Sequence, residues 1–548
     1  MVLRFGILIV FLFLGYASLL FKVYDLQVTK GGYYSARSGS QILSSGITAA
    51  NRGIIYFTDR NGKQLPAVLN KDHLAIYAVP KDIEDTQEAA HALAPLLGKS
   101  TEELEAILSR EDSKYAILMK RASAERVEGI ERLGMRGIYI DSIPGRLYPL
   151  GQLTSHLLGF VGPSSEDMGE IGKYGIEKFY NDELAGSAGR FEAGKVIEPR
   201  PGEDIVLTID PNIQVAAEKI LGQLIETYDA SGGTVIVQDP MTGKILAMGS
   251  FPNFDPNAYG SSSLSTFLNP AMQKVYEPGS VFKVLTMAAG LDSGSITPET
   301  TYVDAGSLTM NTWTISNYDL KKRGAYGRTT MSSIIEHSIN TGAVFVQRAT
   351  GRETFAEYMA RFGFSEKTGV DLPGEVAGSL KRLNPKERDI AFATAAYGQG
   401  VSVTPLELVN AVSVLANGGT LMRPYVNAEF SSEAIRRVVS EDTAKKVVKM
   451  MVSAVDKAEV AAISGYSVAG KTGTAFIPDF KNGGYTDRVI DSYVGFGPTS
   501  DPKFIVLIKL DNLDSSVLAA TSIVPAFREL AQYILNYYNI QPDRITHN

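Results

Sequence analysis

The 548-residue chain has no cysteine and only five histidines. The missing cysteine excludes disulfide frameworks, thiolate catalysis, iron–sulfur clusters and Cys-ligated zinc. The histidines stand at positions 73, 91, 156, 337 and 547, and no two share the i, i+4 spacing of a helical ligand pair. A metal site is therefore not expected. Charge of one sign is missing as well: 53 Lys+Arg stand against 60 Asp+Glu, for a net of −7. That argues against a nucleic-acid protein held by a global basic field. Long apolar runs are scarce, and one stands out: Phe5–Phe21, FGILIVFLFLGYASLLF. It sits at the short end of the roughly 17–25 residues that span a bilayer. A signal peptide needs a small-x-small cleavage site behind the run, whereas Lys22-Val-Tyr-Asp-Leu follows, so an uncleaved anchor is expected. Arg4 lies before the run and Lys22 and Lys30 after it, so charge alone sets no orientation. With no second such run, everything after about residue 22 is expected on one face of the membrane.

What is present reads as globular: 44% hydrophobic and 21% charged residues supply ample core. Three units are expected: residues 1–22 as an N-terminal tip and anchor (the tip cytoplasmic by the resemblance given below), 23–203 as a mixed, turn-rich N-terminal unit, and 204–548 as one large α/β unit. In the first globular unit, Asn51–Tyr56 reads as a strand followed by an Asp59-Arg-Asn-Gly62 hairpin turn. Helices are expected at Glu84–Leu97, Thr101–Ser109 and Ala122–Leu133, the second with a capping-box signal from Ser100 and Glu103. Arg52 and Asp59 read as fold-supporting polar residues. In the second unit, Asp204–Asp210 reads as a strand and Asn212–Tyr228 as a helix. Gly233–Pro240 and Gly243–Ser250 read as a hairpin. The chain end mirrors this with strands Asp491–Gly497 and Lys503–Leu510 and helix Val524–Tyr538. Strands at both ends of a long helical middle predict an α/β layer closed by sequence-distant antiparallel strands.

A serine acyl-transfer site without histidine needs an amine close to the nucleophile. On a helix, positions i and i+3 share a face, so Ser-x-x-Lys can aim both side chains at one atom. Two matches occur, Ser280-Val-Phe-Lys283 and Ser500-Asp-Pro-Lys503. The second contains Pro502 within a strand-to-strand turn and is set aside. The first follows Glu277-Pro-Gly279 and opens the apolar run Val281–Leu291, which places Ser280 at a helix amino terminus. There, free backbone N–H groups favour developing negative charge. Ser-x-Asn occurs once, at Ser338-Ile-Asn340, in a break after Met331–His337. Lys-Thr-Gly occurs at 367–369, in a turn-like connection that reads as structural, and at 471–473 within a glycine-flanked strand, Tyr466–Phe476. Glycines beside Lys471 let a ligand backbone approach as an added strand.

Ser280-x-x-Lys283, Ser338-x-Asn340 and Lys471-Thr-Gly473, in that order, resemble the penicillin-recognising serine acyl-transferases. The flanks narrow this to class B penicillin-binding proteins. They include Asn51-Arg-Gly, Asp59-Arg-Asn-Gly62, Arg146-Leu-Tyr-Pro149, Gly175-Ile-Glu177 and Asp239-Pro-x-Thr-Gly243. Tyr276-Glu-Pro-Gly-Ser280, Tyr397-Gly-Gln-Gly400 with Thr404-Pro405, and Phe496-Gly-Pro498 belong to the same pattern, which spans about residues 30 to 540.

The resemblance implies an α/β (α+β) fold: a β-lactamase-like transpeptidase domain with a central antiparallel sheet flanked by helices, on a β-rich N-terminal pedestal of dimerisation type. It implies that Ser280 attacks the carbonyl of the penultimate D-alanine of a peptidoglycan stem peptide. Lys283 would act as base, which requires its ordinary pKa of about 10.4 to fall through burial and the nearby Lys471. Ser338 would relay a proton to the leaving amine, and Asn340 would fix Lys283 and the substrate amide. Lys471, Thr472, Gly473 and Thr474 would hold the terminal carboxylate, with the N–H groups of Ser280 and Thr474 as oxyanion hole. β-Lactams would acylate the same serine, and no metal or organic cofactor is implied.

A SEDS-family glycan polymerase and other divisome or elongasome membrane proteins are the implied partners, with the bulk of the chain outside the cytoplasm. The Tyr-Glu-Pro-Gly-Ser and Tyr-Gly-Gln-Gly contexts favour a septal, FtsI-like role over an elongation-type one. Ile339, where division-type members usually have Ser, and the proline-free Lys509-Leu-Asp-Asn-Leu are departures. A carboxypeptidase, a β-lactamase and a non-catalytic β-lactam sensor or scaffold are the alternatives. The roughly 200 residues ahead of the catalytic unit and the retained anchor count against a β-lactamase. The complete motif set counts against a scaffold. The acidic and histidine motifs of a glycosyltransferase domain are missing before residue 200, which excludes a bifunctional class A enzyme.

Overall fold

The computed structural model describes residues 2–25, 50–110, 115–164, 170–192, 195–310, 312–479 and 481–544. Helix α1 covers Val2–Tyr24, and its described side chains, from Leu12 onward, are largely exposed. Among the described residues no helix is long and apolar enough to cross a membrane. Lys30 and His547 lie outside the described residues.

The N-terminal unit begins with strands β1 (Ile55–Thr58) and β2 (Gln64–Ala78). Between them the Asp59 carboxylate accepts the amides of Asn61 at 2.8 Å and Lys63 at 2.9 Å, so the expected turn is an Asx-type hairpin. Helices α2 (Thr86–Leu97) and α3 (Thr101–Leu108) follow, then β3 (Ala116–Met119), α4 (Ala124–Leu133) and β4 (Ile138–Leu147). The helices begin where a side chain caps them. Asp85 accepts from Gln87 and Glu88, and Ser123 accepts from Arg126. Ser100 accepts from the Glu103 amide at 3.1 Å, which is one half of the expected capping box. Leu93, Leu97, Leu104 and Leu108 pack with Ile130 on Ile76 and Ala78 of β2. Burying a Leu or Ile side chain contributes about 1.5–3 kcal/mol, enough to fix which face of β2 turns inward. The strand order is β3-β2-β1, with β4 also on β2.

The expected strand at Asp204–Asp210 shortens to β5 (Ile205–Val206), which runs parallel to β1 and completes that sheet. Beyond Val206 the chain still bonds β1 through the Leu207 amide and the Ile209 carbonyl, but Leu207 and Thr208 also pair with Val426 and Asn427, which breaks the ladder. Asp210 then accepts the amides of Asn212 and Ile213 and caps α5 (Pro211–Tyr228). Strands β6 (Gly232–Gln238) and β7 (Ile245–Phe251) form the expected hairpin. The helical middle includes α6 (Lys283–Asp292), α7 (Met331–Glu336), α8 (Asn340–Thr350), α9 (Pro405–Ala416) and α10 (Glu441–Ala458). Strands β8 (Ala469–Pro478), β9 (Tyr485–Gly497) and β10 (Phe504–Asp514) and helix α11 (Ile523–Tyr537) close the chain.

The sheet order is β7-β6-β10-β9-β8, antiparallel throughout, so β10 carries the chain end back against β6. Alternate residues divide between two cores. Ile236, Val494, Phe496, Ile505 and Leu507 pack with α6 and α9, while Val235, Tyr493, Val506 and Ile508 pack with α5 and α11. This sandwich leaves β8 as the edge strand on one side.

Between β1, β4 and a short helix at Gly175–Phe179 lies a buried charge cluster. Glu177, fully buried, accepts Arg146 Nε at 2.8 Å and Arg52 Nε at 2.7 Å. Arg146 also donates to Gly53 O and Asn70 Oδ1, both at 2.8 Å. Arg52 thus serves the fold, as expected. Removing the carboxylate leaves two guanidinium groups uncompensated in a low-dielectric interior, which typically costs about 3–5 kcal/mol. Glu177→Ala should lower the unfolding free energy by about that amount in a denaturant titration. A loss below about 1 kcal/mol, as for an exposed pair, would contradict this account.

Candidate active site

Three pieces of chain far apart in sequence, around Ser280, Ser338 and Lys471, converge at the β8 edge. The first is a 3₁₀ turn, Gly279–Phe282, which feeds directly into α6. In such a turn residues i and i+3 eclipse, so Ser280 and Lys283 share a face and the Lys283 amide bonds back to Ser280 O. Ser280 is half-buried, whereas Lys283 is buried. The expected helical i, i+3 relation is therefore supplied by the tighter turn that precedes the α-helix.

The second piece is the break between α7 and α8. Ser338 adopts a left-handed φ of 56°, a conformation that costs a non-glycine residue about 1–2 kcal/mol and recurs at functional sites. It turns both its carbonyl and its hydroxyl toward Lys283. Lys283 Nζ reaches Ser338 O at 2.5 Å, Asn340 Oδ1 at 2.7 Å and Ser338 Oγ at 3.1 Å. Asn340 Nδ2 donates to Ser316 O at 2.9 Å, so the amide oxygen is the atom that faces the lysine. A neutral amine has two N–H groups and one lone pair. The Ser338 carbonyl and Asn340 amide oxygens occupy the two donors, leaving the lone pair for a hydroxyl proton. Burial first, and then the Lys471 cation, hold the Lys283 amine well below the ordinary lysine range.

The third piece is β8. Lys471 Nζ reaches Ser338 Oγ at 3.0 Å and Thr472 O at 3.1 Å, and burial lowers its pKa to about 7. Ser338 Oγ therefore bridges the two lysines. As the edge strand, β8 has one row of backbone N–H and C=O groups free to pair with an incoming extended chain. Two glycines allow the close packing. A Cβ on Gly473 would lie 2.7 Å from Pro278 O and 2.5 Å from Ser492 Oγ, and one on Gly398 only 2.2 Å from Gly279 O. Gly398 O also accepts the Gly279 amide at 3.1 Å, and the Gly400 amide bonds Glu277 at 2.9 Å. The Tyr397-Gly-Gln-Gly400 segment thus buttresses the Ser280 turn.

The structure brings Lys283, Ser338, Asn340 and Lys471 into one hydrogen-bonded cluster, with the Ser280 turn against the strand that carries Thr472, Gly473 and Thr474. It keeps the discarded motifs apart. Lys503 pairs with Asp501 at the surface, and Thr368 and Gly369 bond Glu375 in a turn. Sequence reasoning missed two supports. One is the Asp304–Asn317–Thr341 network that fixes the hairpin behind Asn340. The other is Asp491, which accepts Thr474 Oγ1 at 2.7 Å and which no motif spacing flags.

The chain matches two known domain families along most of its length. The penicillin binding protein transpeptidase domain matches residues 233–530, and the penicillin-binding protein dimerisation domain matches residues 47–206. Stage V sporulation protein D of Bacillus subtilis is 32% identical over 525 residues, covering 88% of this chain and 79% of that one. Peptidoglycan D,D-transpeptidase FtsI of Escherichia coli K12 is 27% identical over 569 residues, covering 99% and 93%. The crystal structure of Penicillin Binding Protein 2X from Streptococcus thermophilus shares the fold with a TM-score of 0.72 at 22% identity, covering 90% of this chain and 81% of that one. With its transpeptidase and dimerisation domains both matched, the chain belongs to the penicillin-binding protein transpeptidases.

Proposed function

We propose that the chain crosslinks peptidoglycan stem peptides by D,D-transpeptidation, with Ser280 as nucleophile. The observation that carries this reading is the Lys283 amine, held by two acceptors beneath the Ser280 turn and one hydroxyl away from Lys471. The neutral Lys283 takes the Ser280 proton as Oγ attacks the carbonyl of the penultimate D-alanine. The peptide C–N bond breaks, and Ser338 passes a proton to the departing D-alanine amine. A neighbouring stem-peptide amine then attacks the ester, returns its proton through the same relay and leaves the new amide bond. Lys471, Thr472, Gly473 and Thr474 hold the terminal carboxylate, and the Ser280 and Thr474 amides receive the oxyanion.

The domain division that goes with this reading is 1–22 anchor, 23–203 pedestal and 204–548 transpeptidase domain. The apolar Phe5–Phe21 run supports a single-pass membrane anchor, and membership of this family supports a catalytic domain on the extracytoplasmic side of a bacterial membrane. Pairing with a SEDS-family glycan polymerase through the anchor and pedestal belongs to the same proposal. The Tyr-Glu-Pro-Gly-Ser and Tyr-Gly-Gln-Gly contexts, with the near full-length match to FtsI of Escherichia coli, favour the septum over the sidewall.

A labelled penicillin should form a long-lived covalent adduct on Ser280, read by peptide mass spectrometry, and none in Ser280→Ala. Rapid release of hydrolysed drug would point instead to a β-lactamase, and an adduct elsewhere would remove Ser280 from its role. The close packing of β8 on the Ser280 turn yields a second expectation. Gly473→Ala must push the strand from Pro278, and displacement by about 1 Å typically costs about 100-fold in rate. The acylation rate constant should fall by about that factor, and an unchanged constant would show the contact to be dispensable.

A further inference from the structure

We infer that Asp491 is a positioning residue that acts through Thr474 and sets, by its own protonation, how well the site takes a carboxylate-bearing acyl donor. The inference rests on the acyl-transfer reading above and names a control within it. Thr474 and Asp491 are directly opposed across β8 and β9. The Thr474 hydroxyl donates to Asp491 Oδ1 at 2.7 Å, and Ser522 Oγ, at the start of α11, lies 3.3 Å from Oδ2 and 3.0 Å from its other acceptor, Leu518 O. Asp491 is 0% exposed, whereas Thr474 is exposed at the edge where the donor lies.

Thr474 has one hydroxyl proton. While Asp491 is ionised it can only accept, so that proton is committed to it and Thr474 offers an incoming carboxylate a lone pair. The ionised group also places like charge directly behind the carboxylate site. Once Asp491 is protonated it can donate to Thr474 Oγ1, and the Thr474 proton is free to turn toward the donor's carboxylate. One proton on Asp491 thus reverses the direction of the bond and removes the repulsion.

The surroundings suit such a proton. Alternation sets Thr472 and Thr474 of β8, Val489 and Tyr493 of β9, and Leu510 of β10 on the Asp491 face, with Ser522 above it. Among these, Tyr493 is the titratable neighbour, and its hydroxyl is buried without a partner. The charged side chains of the same strands lie on the other face or bond elsewhere. Lys471 bonds Ser338, Lys509 pairs with Asp511, and Arg488 bonds the Asn512 carbonyl. Burial raises the Asp491 pKa to about 6, against the smaller opposing pull of the Thr474 and Ser522 hydroxyls.

The test measures second-order acylation constants for fluorescent penicillin, which carries a carboxylate, on the full chain between pH 5 and pH 8. Wild type, Asp491→Asn and Asp491→Ala are compared, each also in a Thr474→Val background. Taking the ratio of variant to wild type cancels the titration of Lys283 and Lys471. The Asp491→Asn to wild-type ratio should rise by about tenfold from pH 5 to pH 8, the worth of one hydrogen bond to a charged group. Asp491→Ala should rise in the same direction, and in the Thr474→Val background, where only the Asp491 charge still acts, both ratios should rise by no more than about a third of that factor. Adducts with a pH-independent ratio overturn this inference and leave the acyl-transfer reading standing. So does a ratio whose rise with pH keeps its full size without the Thr474 hydroxyl. Absence of any Ser280 adduct in wild type overturns both.

Discussion

One constraint governs the proposed acyl-transfer site: the Lys283 amine must stay uncharged to act as base. A lysine in water is protonated at neutral pH, and only desolvation or a neighbouring cation can reverse that. Lys283 has both, being buried and close to Lys471. Other features of the site follow from this requirement. The amine must be enclosed, so it sits where a 3₁₀ turn enters an apolar helix rather than on a loop. Its two hydrogens must be satisfied, so Ser338 accepts a left-handed backbone and Asn340 is fixed from behind by Ser316. The second lysine must be near enough to disfavour a second charge yet reach the substrate, so a single hydroxyl, Ser338 Oγ, lies between them.

Such a cluster needs rigid walls, and the fold supplies them by antiparallel closure. Because β10 returns from the chain end to pair with β6, strand β8 is displaced to the edge. There its outer backbone groups stay free for an extended peptide. The same displacement brings β8 against the Ser280 turn, and glycine is the residue that lets two backbones meet at that distance. The pedestal uses the opposite device. At Glu177 it buries charge with charge, joining strand, loop and helix through geometry rather than through apolar area. Tyr180, three residues on, donates to Asp371 at 2.7 Å, and Asp371 in turn accepts the Val426 and Asn427 amides. The buried cluster is thereby tied to the catalytic domain.

Much of this was legible in the sequence because it is written in short-range patterns. Helix α5, the β6–β7 hairpin, β9, β10 and α11 announce themselves by periodicity and turn residues. Ser280-x-x-Lys283 is a local relation that one turn can satisfy. What could not be read are relations between distant residues. That Arg52 and Arg146 share one carboxylate at Glu177 follows from tertiary packing alone. The strand expected at Asp204–Asp210 ends at Val206 as a regular ladder because Leu207 and Thr208 pair with the distant Val426–Asn427 segment, a relation that strand propensity does not register. Asp491 was invisible for the same reason. Its meaning lies in the residue opposite, and strand register is fixed only when the sheet closes.

Burial has a further consequence for the chemistry of the whole pocket. The same desolvation that lowers an amine's pKa raises a carboxyl's. In solution Asp and Lys titrate more than six units apart, near 3.8 and 10.5. Inside this site the Asp491 carboxyl rises to about 6 and the Lys471 amine falls to about 7. In the proposed mechanism, and with Asp491 in the role inferred for it, the demands on them run in opposite directions with pH. Lys283 works as a base only above its own lowered pKa. Lys471 attracts a carboxylate only while charged, and Thr474 is released to the donor while Asp491 holds its proton. Acylation in this reading draws on one group that gains from rising pH and two that lose from it, with burial the largest cause of each shift. A donor carboxylate entering between Lys471 and Thr474 stabilises the ammonium of the one and the protonated carboxyl behind the other. Capture of the donor thus reinforces the protonation states that hold it.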